Sequence, residues 1–330
     1  MFKAATSKVL RLVQAGLVLS LALGSGQALA DYPDRPIRLI VPYAAGGSSD
    51  IVGRSFAERF EKLLGQPVVI ENIGGAGGYT GALRAASADP DGYTLLIGSG
   101  SELLIRNLLQ PNPVADPLRD FTPIALIGAG PMVLVGKPAL AAATLPEVLA
   151  LARSKPDGLN YGTAGHGTFM HLVGEAVKFR GKVGITHVPY RGAAPLMSDV
   201  IAGHVDIGVA SLASALPFIQ AGQVRALAVS SAARTEFAPT VPTLGESPEL
   251  ANFNLELWIG LFGPARLPAD IAAKLQAVAS SVLDDPQLKS KLALQAISVR
   301  KLSGEAFRAF LDGENRTYRT IITDAQITAQ

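Results

Sequence analysis

One unit recurs along this chain and restricts what it can fold into: a short apolar run, a loop of small residues rich in glycine, then apolar residues at helical spacing. Ile37-Arg38-Leu39-Ile40-Val41 has the make-up of a buried strand that Pro42 ends. Tyr43 to Asp50 supply the loop, and Ile51, Val52, Phe56, Phe60, Leu63 and Leu64 mark a helix that Gly65 stops. The unit returns as the strand Pro67-Val68-Val69-Ile70, a loop from Asn72 to Gly78 with four glycines, and a helix capped by Thr80 and running to Ala88. Tyr93 to Gly98 give a third strand. Strands alternating with helices in this way predict parallel sheets with helices on both faces.

The second half repeats the pattern. Leu159 to Gly162 lead into Thr163-Ala164-Gly165-His166-Gly167-Thr168, and Met170, Leu172, Val173, Ala176, Val177 and Phe179 follow as a helix. Ile185 to Tyr190 lead into Arg191-Gly192-Ala193-Ala194 and a helix through Ile201. A chain of 330 residues has room for two lobes. Two strand-like stretches are placed to carry it between them: Pro123 to Ile127 with Met132 to Val135, and Phe253 to Phe262. Beyond the second, the sequence reads as purely helical: Ile271 to Leu283, Leu288 to Leu294, and a stripe of Phe307, Phe310, Leu311, Tyr318, Ile321 and Ile322. These helices need a sheet to pack on, so the tail is expected to return to the first lobe. Trp258 is expected where the lobes join.

The first thirty residues hold Lys3, Lys8 and Arg11, no acidic residue, an apolar run centred on Leu12 to Leu23, and Ala28-Leu29-Ala30 before Asp31. This is the layout of a secretory signal peptide, cleaved near Ala30/Asp31, and the apolar run is shorter than the roughly 18 residues a membrane span needs. Removing it leaves 26 of the 29 basic residues against 27 acidic ones, net −1, which argues against nucleic acid as a partner. The chain has no cysteine, which excludes disulfides, thiolate nucleophiles and Cys-bound metals.

A Gly/Ser loop between a strand and a helix start turns several backbone N–H groups one way, with the helix dipole behind them, and so suits an anion. A single such loop is most simply an ordinary turn; four of them, two per half, at strand ends that face a crevice, point to a ligand site. Asp50 is placed to cap the helix or brace the first loop. Nucleotide motifs fail: Gly75-Ala76-Gly77-Gly78-Tyr79-Thr80 lacks the last glycine of a dinucleotide fingerprint, and Pro138 follows Gly136-Lys137 where a P-loop needs Ser or Thr. Gly98-Ser99-Gly100-Ser101 only resembles a nucleophile elbow. His166, His171, His187 and His204 lack metal-ligand spacing, so no metal and no cofactor is expected. His166 lies in a glycine loop, where it touches a ligand or faces solvent, and the other three read as packing or surface groups. Arg191, just past a strand end, either meets a carboxylate or makes a surface salt bridge. Asp206, inside Val205-Asp206-Ile207, either braces a loop from beneath or faces the cleft.

At these loops the chain resembles the periplasmic solute-binding proteins of tripartite tricarboxylate transporters, the Bug proteins. The resemblance runs through Val41 to Asp50, Glu71 to Gly78, Tyr161 to Thr168 with His171 and Glu175, His187 to Gly192, Ala202 to Asp206, and Val241-Pro242-Thr243 with Glu246. It implies an α/β, two-lobed periplasmic binding protein fold (type II), each lobe a mainly parallel sheet flanked by helices, with the ligand cleft between the lobes. Residues 31–128 and 255–330 would form lobe 1 and 129–254 lobe 2. It also implies that the protein is no enzyme but captures a small carboxylate in the periplasm: a di- or tricarboxylate, an acidic amino acid or an aromatic acid. By resemblance the contacts fall on Tyr43, Ala45, Gly46, Gly47, Ser48, Asp50, Gly77 and Ser99 in the first lobe, and on Thr163, Gly165, His166, Gly167, Thr168, Arg191 and Asp206 in the second. Delivery to membrane permease subunits, or to a sensor, is the implied task, by a monomer that closes like a hinged trap. A secreted hydrolase using His166 or His171 with a nearby Ser or Thr is the competing reading. Ala45 and Ile73-Gly74 depart from the family's frequent Pro and Arg-Pro at these places.

Overall fold

The computed structural model describes residues 32–110, 116–155 and 158–328, so the signal peptide lies outside the described residues. The predicted units form in the predicted order. β1 (Ile37–Val41), α1 (Ser48–Leu64), β2 (Val68–Asn72), α2 (Tyr79–Ala86) and β3 (Thr94–Ser99) build a parallel core with β1 in the middle. β4 (Phe121–Gly136) is a single 16-residue strand that covers both halves of the first predicted crossing. β5 (Leu159–Thr163), α3 (Leu145–Ser154), α4 (Phe169–Gly181), β6 (Ile185–Pro189), α5 (Ala193–Ala202), β7 (Ile207–Ser211), α6 (Leu212–Gln220) and β8 (Arg225–Val229) make the second half. The chain returns along β9 (Glu256–Pro264) and ends with α7 (Ala269–Leu283), α8 (Pro286–Ala293), β10 (Ser298–Ser303) and α9 (Gly304–Asp324).

The first sheet runs β2-β1-β3-β9-β4, with β10 on the free side of β4; the second runs β6-β5-β7-β4, with β8 also on β4. β4 therefore belongs to both. Phe121 to Pro131 pair with β9, and Met132 to Gly136 pair with β7. The tail returns to the first sheet as expected, with α7 and α8 against α1, and Val52, Phe56 and Phe60 buried beneath them with Leu275, Ala279 and Leu292. It is not purely helical, however. Ser298 to Ser303 form a strand whose polar sequence hides it, because an edge strand with an exposed face needs no apolar alternation.

Trp258 is fully buried at the junction of the two halves. Its ring stands edge-on to Phe169, the first residue of α4, at 6.4 Å, and Phe169 in turn meets Tyr318 of α9 at 5.8 Å. The Trp258 indole donates to the Tyr318 hydroxyl at 2.8 Å, so the one polar atom of the ring is satisfied inside the apolar cluster. Gly100 lies against this cluster: a Cβ there would sit 2.7 Å from the Phe169 ring and 3.1 Å from Trp258.

Candidate functional site: two sets of loops facing across one strand

The path of β4 fixes which ends of the sheets meet. In the first sheet β4 is antiparallel to β9, which is antiparallel to β3, so β4 runs with the parallel strands toward their carboxyl ends. It then enters the second sheet opposite Ser211, the last residue of β7, and runs antiparallel to it. The carboxyl ends of both parallel sets consequently point at each other. Ser99 stands level with Gly128 through Ile259, and Thr163 stands level with Leu134 through Val209. Those two β4 positions are six residues apart, which at the rise of an extended strand leaves about 20 Å for the loops to fill.

The loop after β1 is held from below. Asp50 is 3% exposed, and its carboxylate accepts from the Gly46 amide at 2.8 Å, from Arg54 Nε at 3.0 Å and from Asn72 Nδ2 at 2.9 Å. Asn72 also donates to the Tyr43 carbonyl at 3.0 Å, tying both ends of the loop to β2. Burial alone would raise the Asp50 pKa; the hydrogen bonds from Arg54, Gly46 and Asn72 outweigh it and leave the group below the ordinary carboxylate range. Asp50 is thus a brace, while Ala45, Gly46 and Gly47 are exposed on top of it and Ser48 begins α1 with its amide unpaired within the helix.

Glu102 is the residue that sequence reasoning missed. It is 1% exposed and accepts from both the amide and the hydroxyl of Ser99, the latter at 2.6 Å, and from the Tyr43 hydroxyl at 2.6 Å. Desolvation raises its pKa against the pull of these donors, and also raises that of Tyr43. Ser99 and Tyr43 therefore spend their hydroxyls on Glu102 and hold the loops together. Gly78, at φ +95°, passes so close that a Cβ would meet Glu102 and the Tyr43 ring at 3.0 Å. The Ser99-x-x-Glu102 spacing was a legible signal, since a Glu three residues after Ser commonly reaches back to the Ser amide. Gly77 lies in the exposed turn just before it.

Across the gap, the loop after β5 is closed on itself. The buried Thr163 hydroxyl donates to the Gly165 carbonyl at 3.0 Å, the Thr168 hydroxyl donates to the same oxygen at 2.8 Å, and Thr168 caps α4 by accepting from the His171 amide. The Gly167 amide donates to His171 Nδ1, which places that imidazole's proton on Nε2. His166, His171 and His187 come together here: ring centroids are 4.3 Å apart for the first pair and 4.2 Å for the second, with Tyr161 stacked 4.9 Å from His187. Burial first, then the neighbouring imidazoles and Lys178, push His171 down to about 3; burial, His166 and Lys178 push His187 down to about 4. Burial also lowers His166. At neutral pH the stack is uncharged, with half-buried His166 in the loop itself. The rings stack over one another, and among the described residues no three His, Asp or Glu side chains are grouped to hold a metal.

Arg191 follows β6, exposed and without an ion-pair partner among the described residues. Asp206 does not belong with this group. It precedes β7 at the amino end, bonds the Asn160 amide at 3.0 Å and pairs with Lys137 Nζ at 2.7 Å. It stands at the far edge of the second sheet, a strand's length from Thr163, so it clamps β5 to the end of β4 and does not face the gap.

Two α/β sheets that share one crossing strand and turn glycine-rich helix starts toward each other define a two-lobed periplasmic binding protein. Comparison with known proteins narrows the class. The family described as the tripartite tricarboxylate transporter family receptor matches residues 52–327, and this chain belongs to it. Protein BugT of Bordetella pertussis is 31% identical over 296 residues, covering 89% of this chain and 90% of that one. Among solved structures, R. palustris Rpa4515 with adipate is 29% identical with a TM-score of 0.82, covering 90% of this chain and 99% of that one. MatC (Rpa3494) from Rhodopseudomonas palustris with bound malate is 31% identical with a TM-score of 0.78, covering 88% and 100%. The protein is a binding protein and not an enzyme, which removes the hydrolase reading. No helix among the described residues is long and apolar enough to cross a membrane.

Proposed function

We propose that this protein captures a small carboxylate in the periplasm, after cleavage near Ala30/Asp31, and delivers it to a membrane permease of the tripartite tricarboxylate type. The observation that carries this reading is the course of β4, which turns two sets of backbone amide donors toward each other over about 20 Å. One carboxylate would lie against the amides of Ala45, Gly47 and Ser48, near Gly77, with Gly46 held by Asp50 beneath and Tyr43, Asp50 and Ser99 as braces. The rest of the ligand would meet Gly165, His166, Gly167 and Thr168, over the buried Thr163, with Arg191 at the rim. Lobe 1 would comprise residues 31–128 and 255–330 and lobe 2 residues 129–254. Hinge bending would fall where β4 leaves one sheet for the other and where the chain returns before Glu256. The carboxylates bound by the two R. palustris relatives support this ligand class.

A thermal-shift screen of the refolded mature protein against about fifty carboxylates, aromatic acids and acidic amino acids tests the reading. A ligand at about 100 times its Kd adds roughly 2.7 kcal/mol, a shift of roughly 4 °C for a chain of this length. A folded protein that no carboxylate shifts refutes it.

A further inference from the structure

A cavity of about 620 Å³ lies where β9, β4 and β10 run side by side, and it shares no lining residue with the two sets of loops described above. Its walls come from both halves of the chain. α9 supplies Phe310 and Glu314, and residues 231–236, which follow β8, supply Arg234 and Glu236. Leu126, Ala129, Leu302 and the Trp258 ring add apolar surface. A volume of this size, apolar with a few polar groups converging on it, suits a small molecule.

The charges around this cavity do not balance. Arg234 pairs with Glu246 at 2.7 Å and Arg300 with Glu256 at 3.1 Å, so both guanidinium groups already have an anion. Glu236 accepts from the Ser298 hydroxyl at 3.3 Å and Glu314 from the Tyr318 hydroxyl, yet neither carboxylate has an ion-pair partner among the described residues. Burial pushes the Glu314 carboxyl up to about 7 against the hydrogen bonds from Tyr318 and Trp258, and Glu256 on β9 adds to the rise. The remaining charged groups at the cavity are Arg300 on β10 and Arg234 and Glu236 on residues 231–236. Two carboxylates without a cation, set beside apolar side chains, complement a protonated amine on an apolar body. We propose that this cavity is a second binding site, separate from the loops, for a small amphiphilic amine whose ammonium meets Glu314 and Glu236 and whose apolar part lies against Phe310 and Trp258. It does not depend on what the loops bind.

The chain has a single tryptophan, Trp258, so its fluorescence reports on this cavity. Titrating the mature protein with phenethylamine, and with the uncharged 2-phenylethanol of nearly the same shape, tests the proposal. At pH 8 the amine should change the Trp258 emission saturably and bind at least tenfold tighter than the alcohol. Because the ammonium is held by ionised Glu314, amine affinity should rise about five- to tenfold from pH 6 to pH 8, while that of the alcohol stays flat. Glu314→Gln should lose tenfold or more on the amine and less than threefold on the alcohol, and should flatten the pH dependence. Glu236→Gln, at an exposed position, should lose at least threefold on the amine and keeps the test valid if Glu314→Gln does not fold. Amine and alcohol bound alike, neither bound, or an amine affinity that both variants leave unchanged would overturn the proposal. So would a folded Glu314→Gln protein that loses equally on both probes, since Glu314 would then only support the Trp258 ring.

Discussion

Replacing Asp50 by Ala should weaken ligand binding by about 30-fold while leaving the protein folded. The substitution removes an acceptor that three donors share. The Arg54 part is small, because that side chain is 53% exposed and its pair is screened by water. The Gly46 and Asn72 bonds to a buried carboxylate are the larger part. Water can refill the exposed Gly46 amide, so the stability loss should be about 1–3 kcal/mol. Residues 44–47, released from below, must be ordered again when a ligand arrives. At about 1–2 kcal/mol of backbone entropy per residue, re-fixing even one or two residues costs about 2 kcal/mol, or roughly 30-fold in Kd. Because the Asp50 pKa is lowered in the folded protein, this contribution is complete above the unfolded carboxylate pKa and disappears only as pH falls through the folded value. Calorimetry with the tightest carboxylate of the screen, run beside thermal unfolding, reads both quantities. Arg54→Ala serves as the control and should change affinity less than threefold. An Asp50→Ala protein that is folded and binds within threefold of wild type would refute the idea that this carboxylate holds the loop.

Three further outcomes follow from the same geometry. His171 and His187 have folded pKa values below that of free imidazole, so their contribution to stability is complete above about pH 6.5 and falls as the unfolded chain takes up protons below it. His171→Gln should flatten the denaturant-measured stability profile between pH 6.5 and 4 by up to about 1.4 kcal/mol per pH unit, and an unchanged slope would show that this imidazole does not stay neutral. Glu102 has the opposite sign: its raised pKa means that stability is lost as pH rises through the folded value, so the deficit of Glu102→Gln relative to wild type should shrink from pH 4 to pH 8. Gly100→Ala should push Phe169 away from Trp258 at a cost of about 1–3 kcal/mol and shift Trp258 fluorescence; a variant as stable as wild type would mean that the aromatic junction has slack.

Much of the architecture was legible because its causes are local. Ile37 to Val41 and Thr94 to Ser99 are apolar runs of strand length, and the glycines after them allow the tight turns into helices. Even the long crossing strand showed, as two apolar pieces flanking Gly128-Ala129-Gly130-Pro131. What escaped depends on distant partners. Glu102 is a lone acid in an apolar stretch; Ser99 gives it local donors, but the third, the Tyr43 hydroxyl that ties it to the first loop, lies 59 positions away. His171 and His187 belong to different elements, and their contact follows from the pairing of β5 with β6. Asp206 was misassigned because an acid in a strand sequence does not reveal which end of the sheet it occupies.

The position of β9 also bears on how the polypeptide is assembled as it emerges. In the first sheet, β3 and β4 never touch along this path; both wait for Glu256 to Pro264, which are synthesised after every strand of the second sheet. Until then two long strand margins stand open, and the early half cannot close its own interior. Contacts so distant in sequence slow folding. The segment most able to complete the first sheet is thus the last of its long strands to arrive.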